Sequence, residues 1–467
     1  MENAVCQNKS PIYLAVDIGA SSGRHIVGYI QNGKLLLREV YRFPNGATER
    51  NGKLYWDEAR LYKEILAGLK AAGEAGFTPD YVGIDTWAVD YALLDEDDKI
   101  NDGVLCYRDG RGAAVKQKAH AVLDFSRLYE KTGIQYAPFN TLYQLYDDVL
   151  TGRIQKANSF LMLPDYFHFL LTGVKRQEYT NATSTGMVNA QKHTWDEEII
   201  DAFGFPKKLF GALSQPGTVV GRFRPEVAAA VGYEATVVLP ATHDTASAVL
   251  AAPTTDGAPY LSSGTWSLLG VEVDAAQTSD AAMNFNYSNE GSVDFCFRFQ
   301  KNIIGLWMIQ QVKKELGDKY SFAEFADLAK KSDENRILDL SDPRFLAPKS
   351  MIAEIERTLG HLSVGDLART VFLSLANEYK KALDELEKAT GKRYDALHVI
   401  GGGCQNAFLN EATARATQKT LSVGPVEATA IGNLIAQMIG MGEIKDLSSA
   451  RELIKTSFDI TEVQING

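Results

Sequence analysis

The feature that most constrains this chain is a turn that occurs twice, once in each half. Tyr13 to Ile30 reads YLAVDIGASSGRHIVGYI, and Tyr260 to Val273 reads YLSSGTWSLLGVEV. In each, an apolar strand runs into a short Gly/Ser/Thr turn and a second apolar strand leaves it. Such a turn presents backbone N–H groups and hydroxyls with no bulky side chain in front of them, which makes a cradle for phosphate. Two cradles predict two related half-molecules gripping one phosphorylated ligand.

That ligand would meet an acidic protein. Among 467 residues, 48 Lys and Arg face 59 Asp and Glu, a formal net charge of −11. With no basic run, the chain is expected to bind neither nucleic acid nor membrane. Positive potential for an anion must therefore be local, from backbone dipoles, a few Arg or Lys, or a metal ion. Cys6, Cys106, Cys296 and Cys404 form no CxxC pair and stand beside no His cluster, which argues against zinc and against a disulfide framework. The opening MENAVCQNKSP lacks the apolar core of a signal peptide, and no apolar stretch reaches the roughly 18 residues that span a bilayer. The expectation is a reduced, soluble, cytoplasmic protein, a monomer or small homo-oligomer.

Along the chain, Ile12 to Val16 and HIVGYI read as strands, and Asn32-Gly33 between apolar runs is a hairpin signal. Trp56 to Ala72 has helical spacing with Asp57 near its start. Tyr81 to Trp87 reads as a buried strand, with further strands at Val89 to Leu94 and in GVLCYRD. Phe125 to Leu171 is mainly helical, and PDYFHFLLTG begins with Pro164 and stops at Gly173. EYTNATSTGMVN, Glu178 to Asn189, reads as a loop or short strand. Thr236 to Pro253 switches from strand to helix near Thr242, and PTTDGAP, Pro253 to Pro259, is the expected domain boundary, dividing residues 10–252 from 258–460. KNIIGLWMIQQVKKEL reads as a helix, and Ser363 to Ala389 as a longer one capped by Ser363 and Asp366. LHVIGGGCQNAFLNEATARAT and LSVGPVEATAIGNLIAQMI each run from strand to helix.

Within this frame VDIGASSGR is not a Walker loop: it lacks the GK[ST] ending and leads into a strand. Asp17 stands at a strand end, placed to hold a metal ion or its waters while Ser21, Ser22 and Gly23 face phosphate and Arg24 adds a charge-assisted contact. The plainer reading is an ordinary tight hairpin. SSGTWS, Ser262 to Ser267, gains weight only by its pairing with the first turn. Gly401 to Gly403, between strand and helix, suits close approach to a nucleotide. THDTASAV, Thr242 to Val249, is the expected chemical centre. Asp244 falls in the first turn of a helix, whose N-terminus favours the ionised carboxylate, and that carboxylate can take a proton from a sugar hydroxyl attacking phosphorus. Alternatively Asp244 or Thr242 is only a helix cap, and His243 alone is a structural hydrogen-bonding residue. DTWAVD, Asp85 to Asp90, sets Trp87 among carboxylates, for sugar stacking or for the core. Asn302, Trp307 and Gln310 fall on the expected helix, with Trp307 assigned to the core.

Taken together, GASSGR, GIDTWAVDY, FNTLYQLY, LMLPDYF, YTNATSTGMVN, THDTASAV, YLSSGTWSLLG, KNIIGLW, IGGGCQN and GPVEATAIGN resemble the FGGY family of carbohydrate kinases, from about Tyr13 to about Gly440. The resemblance implies an α/β fold of two ribonuclease-H-like domains, as in actin and hexokinase, with an interdomain cleft. It implies ATP and Mg2+ as cofactors and a small ketose as substrate, phosphorylated at its 1-hydroxyl. L-rhamnulose is the first candidate, and L-fuculose or a pentulose such as xylulose the alternative. By resemblance, Ala20, Ser21, Ser22, Gly23 and Arg24 contact ATP phosphates, with Thr265, Gln310, Gly402 and Gly403 on the nucleotide side. Trp87, Ala88, His243, Asp244, Thr245 and Asn302 contact the sugar. Asp244 is the catalytic base, and Asp17 and Asp244 lie near the metal. Ala88 stands where the family usually has Gly, and NEGSVDF departs from the glycine-rich run expected near Glu290. A nucleotide-switched binding protein of the actin or chaperone type is the remaining alternative. THDTASAV and DTWAVD argue against it.

Overall fold

A computed structural model describes residues 10–254, 257–346 and 348–464. Cys6 and most of the opening segment lie outside the described residues, as do Thr255 and Asp256 of the expected boundary.

The N-terminal half is built on a six-stranded sheet. β1 (Tyr13–Ile18), β2 (Ser22–Gln31) and β3 (Lys34–Pro44) form the antiparallel meander expected around the Asn32-Gly33 turn. β1 is buried along its whole length, as its apolar composition requires. α1 (Glu58–Glu74) starts where Asp57 accepts a hydrogen bond from the Arg60 N–H at 3.0 Å and buries Leu61, Ile65 and Leu69. β4 (Tyr81–Thr86) then pairs parallel to β1, placing Asp85 beside Asp17. α2 (Leu163–Thr172) carries Pro164 in its first turn and ends at Gly173.

EYTNATSTGMVN differs from expectation. Tyr179–Thr183 is a short helix, α3, between strand residues at Glu178 and at Val188–Asn189. The reason is a cap: the Glu178 carboxylate accepts from the Thr180 N–H at 2.7 Å and the Asn181 N–H at 3.0 Å, and a Glu at that position is a weak signal in sequence. β5 (Val219–Arg222), β6 (Thr236–Val238) and α4 (Asp244–Leu250) complete the half, and the sheet runs β5-β6-β4-β1-β2-β3.

The C-terminal half repeats this plan. β7 (Tyr260–Ser263) pairs antiparallel with β8 (Trp266–Val273). β9 (Ser288–Gly291) and β10 (Phe297–Ile304) follow. KNII is thus strand, not helix: it pairs with β8 across Leu268↔Asn302 and Ser267↔Ile303, and α5 begins only at Trp307 (Trp307–Glu315). α6 (Val364–Thr390) has the expected capping box of Ser363 and Asp366. β11 (Ala396–Ile400), α7 (Ala407–Thr417), β12 (Thr420–Val423), α8 (Ala428–Gly440) and β13 (Thr461–Val463) finish a sheet ordered β9-β10-β8-β7-β11-β12-β13. β1 is flanked antiparallel by β2 and parallel by β4, and β7 likewise by β8 and β11. The duplication seen in two turns extends to whole sheets.

Each half has its own apolar core. A third core, of Tyr13, Ala15, Val249, Tyr260, Ile431 and Leu434, belongs to both. It forms because α4 and α8 cross closely: a Cβ on Gly432 would lie 1.7 Å from the Ser247 carbonyl oxygen. α8 also reaches the other half's sheet through polar bonds, Asn433 Nδ2 to Asp85 Oδ2 at 2.5 Å and Gln437 Nε2 to the Leu14 carbonyl at 3.2 Å. The cleft opens above this hinge, where both repeated turns point.

Candidate active site

The cleft has a volume of 410 Å³ and takes its walls from both halves, a size that suits a nucleotide and a small sugar. Of the residues expected from sequence, Ala20, Ser21, Arg24, Trp87, Ala88, His243, Asp244, Thr245, Thr265, Asn302, Gln310 and Gly402 line it. Asp17, Ser22, Gly23 and Gly403 do not line it. Gly403 serves packing instead: a Cβ there would lie 1.9 Å from Ser263 Oγ, so it lets the glycine turn press against the second cradle.

The first cradle is braced from behind. Asn45 donates to the Gly19 carbonyl at 2.9 Å, and Gly19 N–H bonds the Ser22 carbonyl at 2.8 Å. Arg24 pairs with Asp17 at 2.8 Å and crosses to Glu427, at the head of α8. Its charge is therefore held at the cleft by one carboxylate from each half. Next to Asp17, Asp85 is fully buried, and its Oδ1 has no hydrogen-bond partner among the described residues. Burial and the Asp17 charge push the Asp85 carboxyl well up, the Asn433 hydrogen bond opposes them, and the Asp244 charge raises it further. Three acids thus share a corner with too little positive charge.

Asp244 is the first residue of α4, and no side chain caps that helix. Its side chain is 30% exposed and faces the cleft, so it is not a mere cap. Burial raises its carboxyl and the Asp17 charge adds to the rise, while His243 and the Thr245 hydrogen bonds, one of them from the backbone N–H of the helix's first turn, favour the ionised form. A raised carboxyl is the better proton acceptor near neutral pH.

The segment carrying Asp244 is tied down by groups that the sequence did not mark. Glu178 Oε2 accepts from Thr242 Oγ1 at 2.7 Å and from the Thr242 N–H at 3.2 Å. His243 Nε2 lies 3.4 Å from Asp244 Oδ1, and its Nδ1 lies 3.1 Å from Glu290 Oε2. Arg298, wholly buried, reaches the same Glu290 oxygen at 3.1 Å. Burial alone would raise the Glu290 carboxyl, but His243 and Arg298 outweigh it and hold it at about 2. His243, expected from sequence as a structural hydrogen-bonding residue, stands between Asp244 and a charge pair from the other half. Nothing local in the sequence marks Glu290, in the polar strand SNEG, or Arg298, in FRFQKNII, as partners of His243.

On the sugar side Trp87 is buried yet lines the cleft. Trp56 and Trp87 donate their indole N–H groups to Asp90 Oδ2 at 2.6 and 2.8 Å. Burial drives the Asp90 carboxyl up to about 6 against those bonds. Val89 sits at φ 70°, costly for a β-branched residue. Its carbonyl is held there by Thr141 Oγ1 at 2.8 Å and Gln144 Nε2 at 3.2 Å. Ala88 and Val89 both line the cleft. Asn302 lines the cleft from β10, not from a helix. Trp307, assigned to the core, also lines the cleft, and the Arg108 guanidinium stands 5.5 Å from its ring. On the nucleotide side Gln310 Nε2 bonds Thr265 Oγ1 at 3.3 Å, tying α5 to the second cradle.

Two duplicated α/β lobes, hinged beneath a shared cleft that gathers both turns and a raised aspartate, define a two-domain kinase fold of the actin type. Residues 12–251 match the N-terminal domain of the FGGY family of carbohydrate kinases, and residues 260–441 match its C-terminal domain. The chain belongs to that family. It is 46% identical over 455 residues to a rhamnulokinase of Oceanobacillus iheyensis, covering 96% of this chain and 97% of that one. It is 42% identical over 459 residues to a rhamnulokinase of Bacillus subtilis, covering 96% and 94%. Among solved structures it resembles a ligand-bound xylulose kinase from Lactobacillus acidophilus, with TM-score 0.79, 17% identity and coverage of 97% and 93%. It also resembles the glycerol kinase of Plasmodium falciparum with ADP, with TM-score 0.77, 14% identity and coverage of 97% and 94%.

Proposed function

We propose that the chain transfers the terminal phosphoryl group of ATP to the 1-hydroxyl of L-rhamnulose, giving L-rhamnulose 1-phosphate and ADP. The observation that carries the reading is Asp244, open to a cleft that both cradles also face. The substrate rests on full-length relatives named rhamnulokinase. Residues 10–252 supply most of the sugar pocket, and residues 258–460 the nucleotide pocket.

In this reading Asp244 accepts the proton of the 1-hydroxyl as that oxygen bonds to the γ-phosphorus. The bond from that phosphorus to the β,γ-bridging oxygen breaks, and ADP carries the electron pair away. His243, anchored by Glu290, holds the Asp244 carboxylate in place. Ala20, Ser21 and Arg24 receive the phosphates from one side, with Ser22 and Gly23 shaping the turn behind them, and Thr265 with the Gly402 turn from the other. Arg24 exchanges Asp17 for phosphate as the ligand enters. Trp87, Ala88, Thr245 and Asn302 bound the sugar. Closure of the lobes excludes water, the competing acceptor.

Among the described residues no group of three or more carboxylates, His or Cys is arranged to hold a metal ion directly, so Mg2+ in this reading is held through its waters and the phosphates, beside an Asp85 Oδ1 that lacks a partner among the described residues. Asp17 and Asp244, with Asp85, would hold the ion through its waters. Once bound it neutralises phosphate charge that an acidic chain cannot.

A coupled ADP-release assay over a ketose panel tests the substrate. L-rhamnulose should give the highest kcat/KM. A much higher value for L-fuculose or xylulose would transfer the assignment to that sugar, with the Ala88 methyl as the element that reshaped the pocket.

A further inference from the structure

Gln135 and Ser288 are two buried polar side chains of the cleft that take no part in the chemistry described above. Gln135 is 5% exposed and Ser288 is 1% exposed, and both line the cleft. Gln135 Oε1 and Ser288 Oγ have no hydrogen-bond partner among the described residues. A buried polar atom left unpaired is costly, and such atoms persist where a ligand completes them.

The two residues come from different halves, and a single close contact joins the segments that carry them. Gly133, at φ 65°, has its carbonyl bonded by both the Asn289 N–H at 2.8 Å and Asn289 Nδ2 at 3.0 Å. A Cβ on Gly133 would lie 2.6 Å from Asn289 Nδ2. That lock fixes where the segment carrying Gln135, two residues on, meets the strand that carries Ser288, the neighbour of Asn289. The Gln135 backbone is fixed as well, because Asn140 Nδ2 donates to its carbonyl at 2.7 Å. Along β9, Ser288 and Glu290 share a face, with Asn289 on the other. Glu290 holds His243, and His243 adjoins Asp244. Glu290 thus ties the strand face that carries Ser288 to His243 and, through it, to Asp244.

We propose that Gln135 and Ser288 are specificity-determining residues that hydrogen-bond the ketose hydroxyls distal to the one phosphorylated. The carboxamide offers donor and acceptor, and the hydroxyl offers both, so together they read the orientation of neighbouring hydroxyls. Because their atoms are dry and otherwise unpaired, a sugar lacking a matched hydroxyl leaves them unpaired and is rejected. The assignment rests on the ketose-kinase reading.

The test is steady-state kinetics of Ser288→Ala and Gln135→Met with the ketose that the wild type phosphorylates best, and with deoxy analogues of it. Each substitution should raise the ketose KM roughly 5- to 100-fold, leave the ATP KM within about twofold, and lose its penalty on the analogue that lacks the matched hydroxyl. The substitutions lie in different halves, so misfolding of one leaves the other to decide. A wild-type ketose KM in the folded variants, or an ATP KM that rises in step with it, overturns the assignment while the kinase reading stands. Failure of the wild type to phosphorylate any ketose overturns both.

Discussion

Asp244 and Asp85 are neighbours with opposite relations to stability and turnover. Asp244 is useful because its carboxyl is raised by burial and by Asp17. A base works only when ionised, so turnover should fall on the acid side as pH drops through that raised value. Asp244→Asn should lower kcat by roughly 10²- to 10⁴-fold and abolish this limb while ATP still binds, which kcat–pH profiles and a nucleotide titration would check. Asp85 is a carboxyl raised by burial and like charge. The sign follows from linkage: a folded-state value above the unfolded one gives stability that is complete at low pH and is lost as pH rises through the folded value. Neutral Asp85→Asn should then raise the urea midpoint at pH 7 and weaken Mg2+-dependent turnover. Urea unfolding with parallel assays decides it. A lower midpoint would mean that the charge is already compensated.

At the scale of elements, the short helix α3 and the turn before α4 are one unit, because a single carboxylate joins them. Glu178 accepts from two backbone N–H groups of α3, from Thr180 Oγ1, and from the N–H and Oγ1 of Thr242. Only an ionised carboxylate accepts that many bonds at once. Glu178→Gln would set an amide N–H against donors. It should cost about 2–3 kcal/mol and lower kcat more than it changes the ATP KM, as the segment from Thr242 to Asp244 loosens. Denaturant melts and kinetics together separate this from simple unfolding, since a folded variant with full kcat would show that α4 positions Asp244 without Glu178.

At the scale of the molecule, the hinge is a helix pair with no room between its backbones. Gly432→Ala would drive a Cβ to 1.7 Å from the Ser247 carbonyl, so α4 and α8 must separate. Because α4 carries Asp244 and α8 follows Glu427, which holds Arg24, the displacement moves the base relative to the phosphate cradle. The substitution should cost about 1–3 kcal/mol and lower kcat by an order of magnitude or more. Thermal unfolding and turnover check it. Unchanged values would mean that the lobes absorb the shift elsewhere.

The strand–turn–strand repeats, the Asn32-Gly33 hairpin, the Ser363 cap and the aspartate at the head of α4 were legible in the sequence alone, because each depends on residues close together in the chain. The helix at Tyr179–Thr183, the strand at KNII and the cleft position of Trp307 were not. Their states are set by a capping Glu, by pairing with β8 and by the opposite lobe. The same division holds within the site. Local order determined that Asp17, Ser21, Arg24 and Asp244 stand at turns and helix ends. Only the packing of α4 against α8, and of Gly133 against Asn289, decided that Glu290, Arg298, Gln135 and Ser288 meet them. A charge, amide or hydroxyl carries no record of its partner until a segment remote in sequence is folded against it.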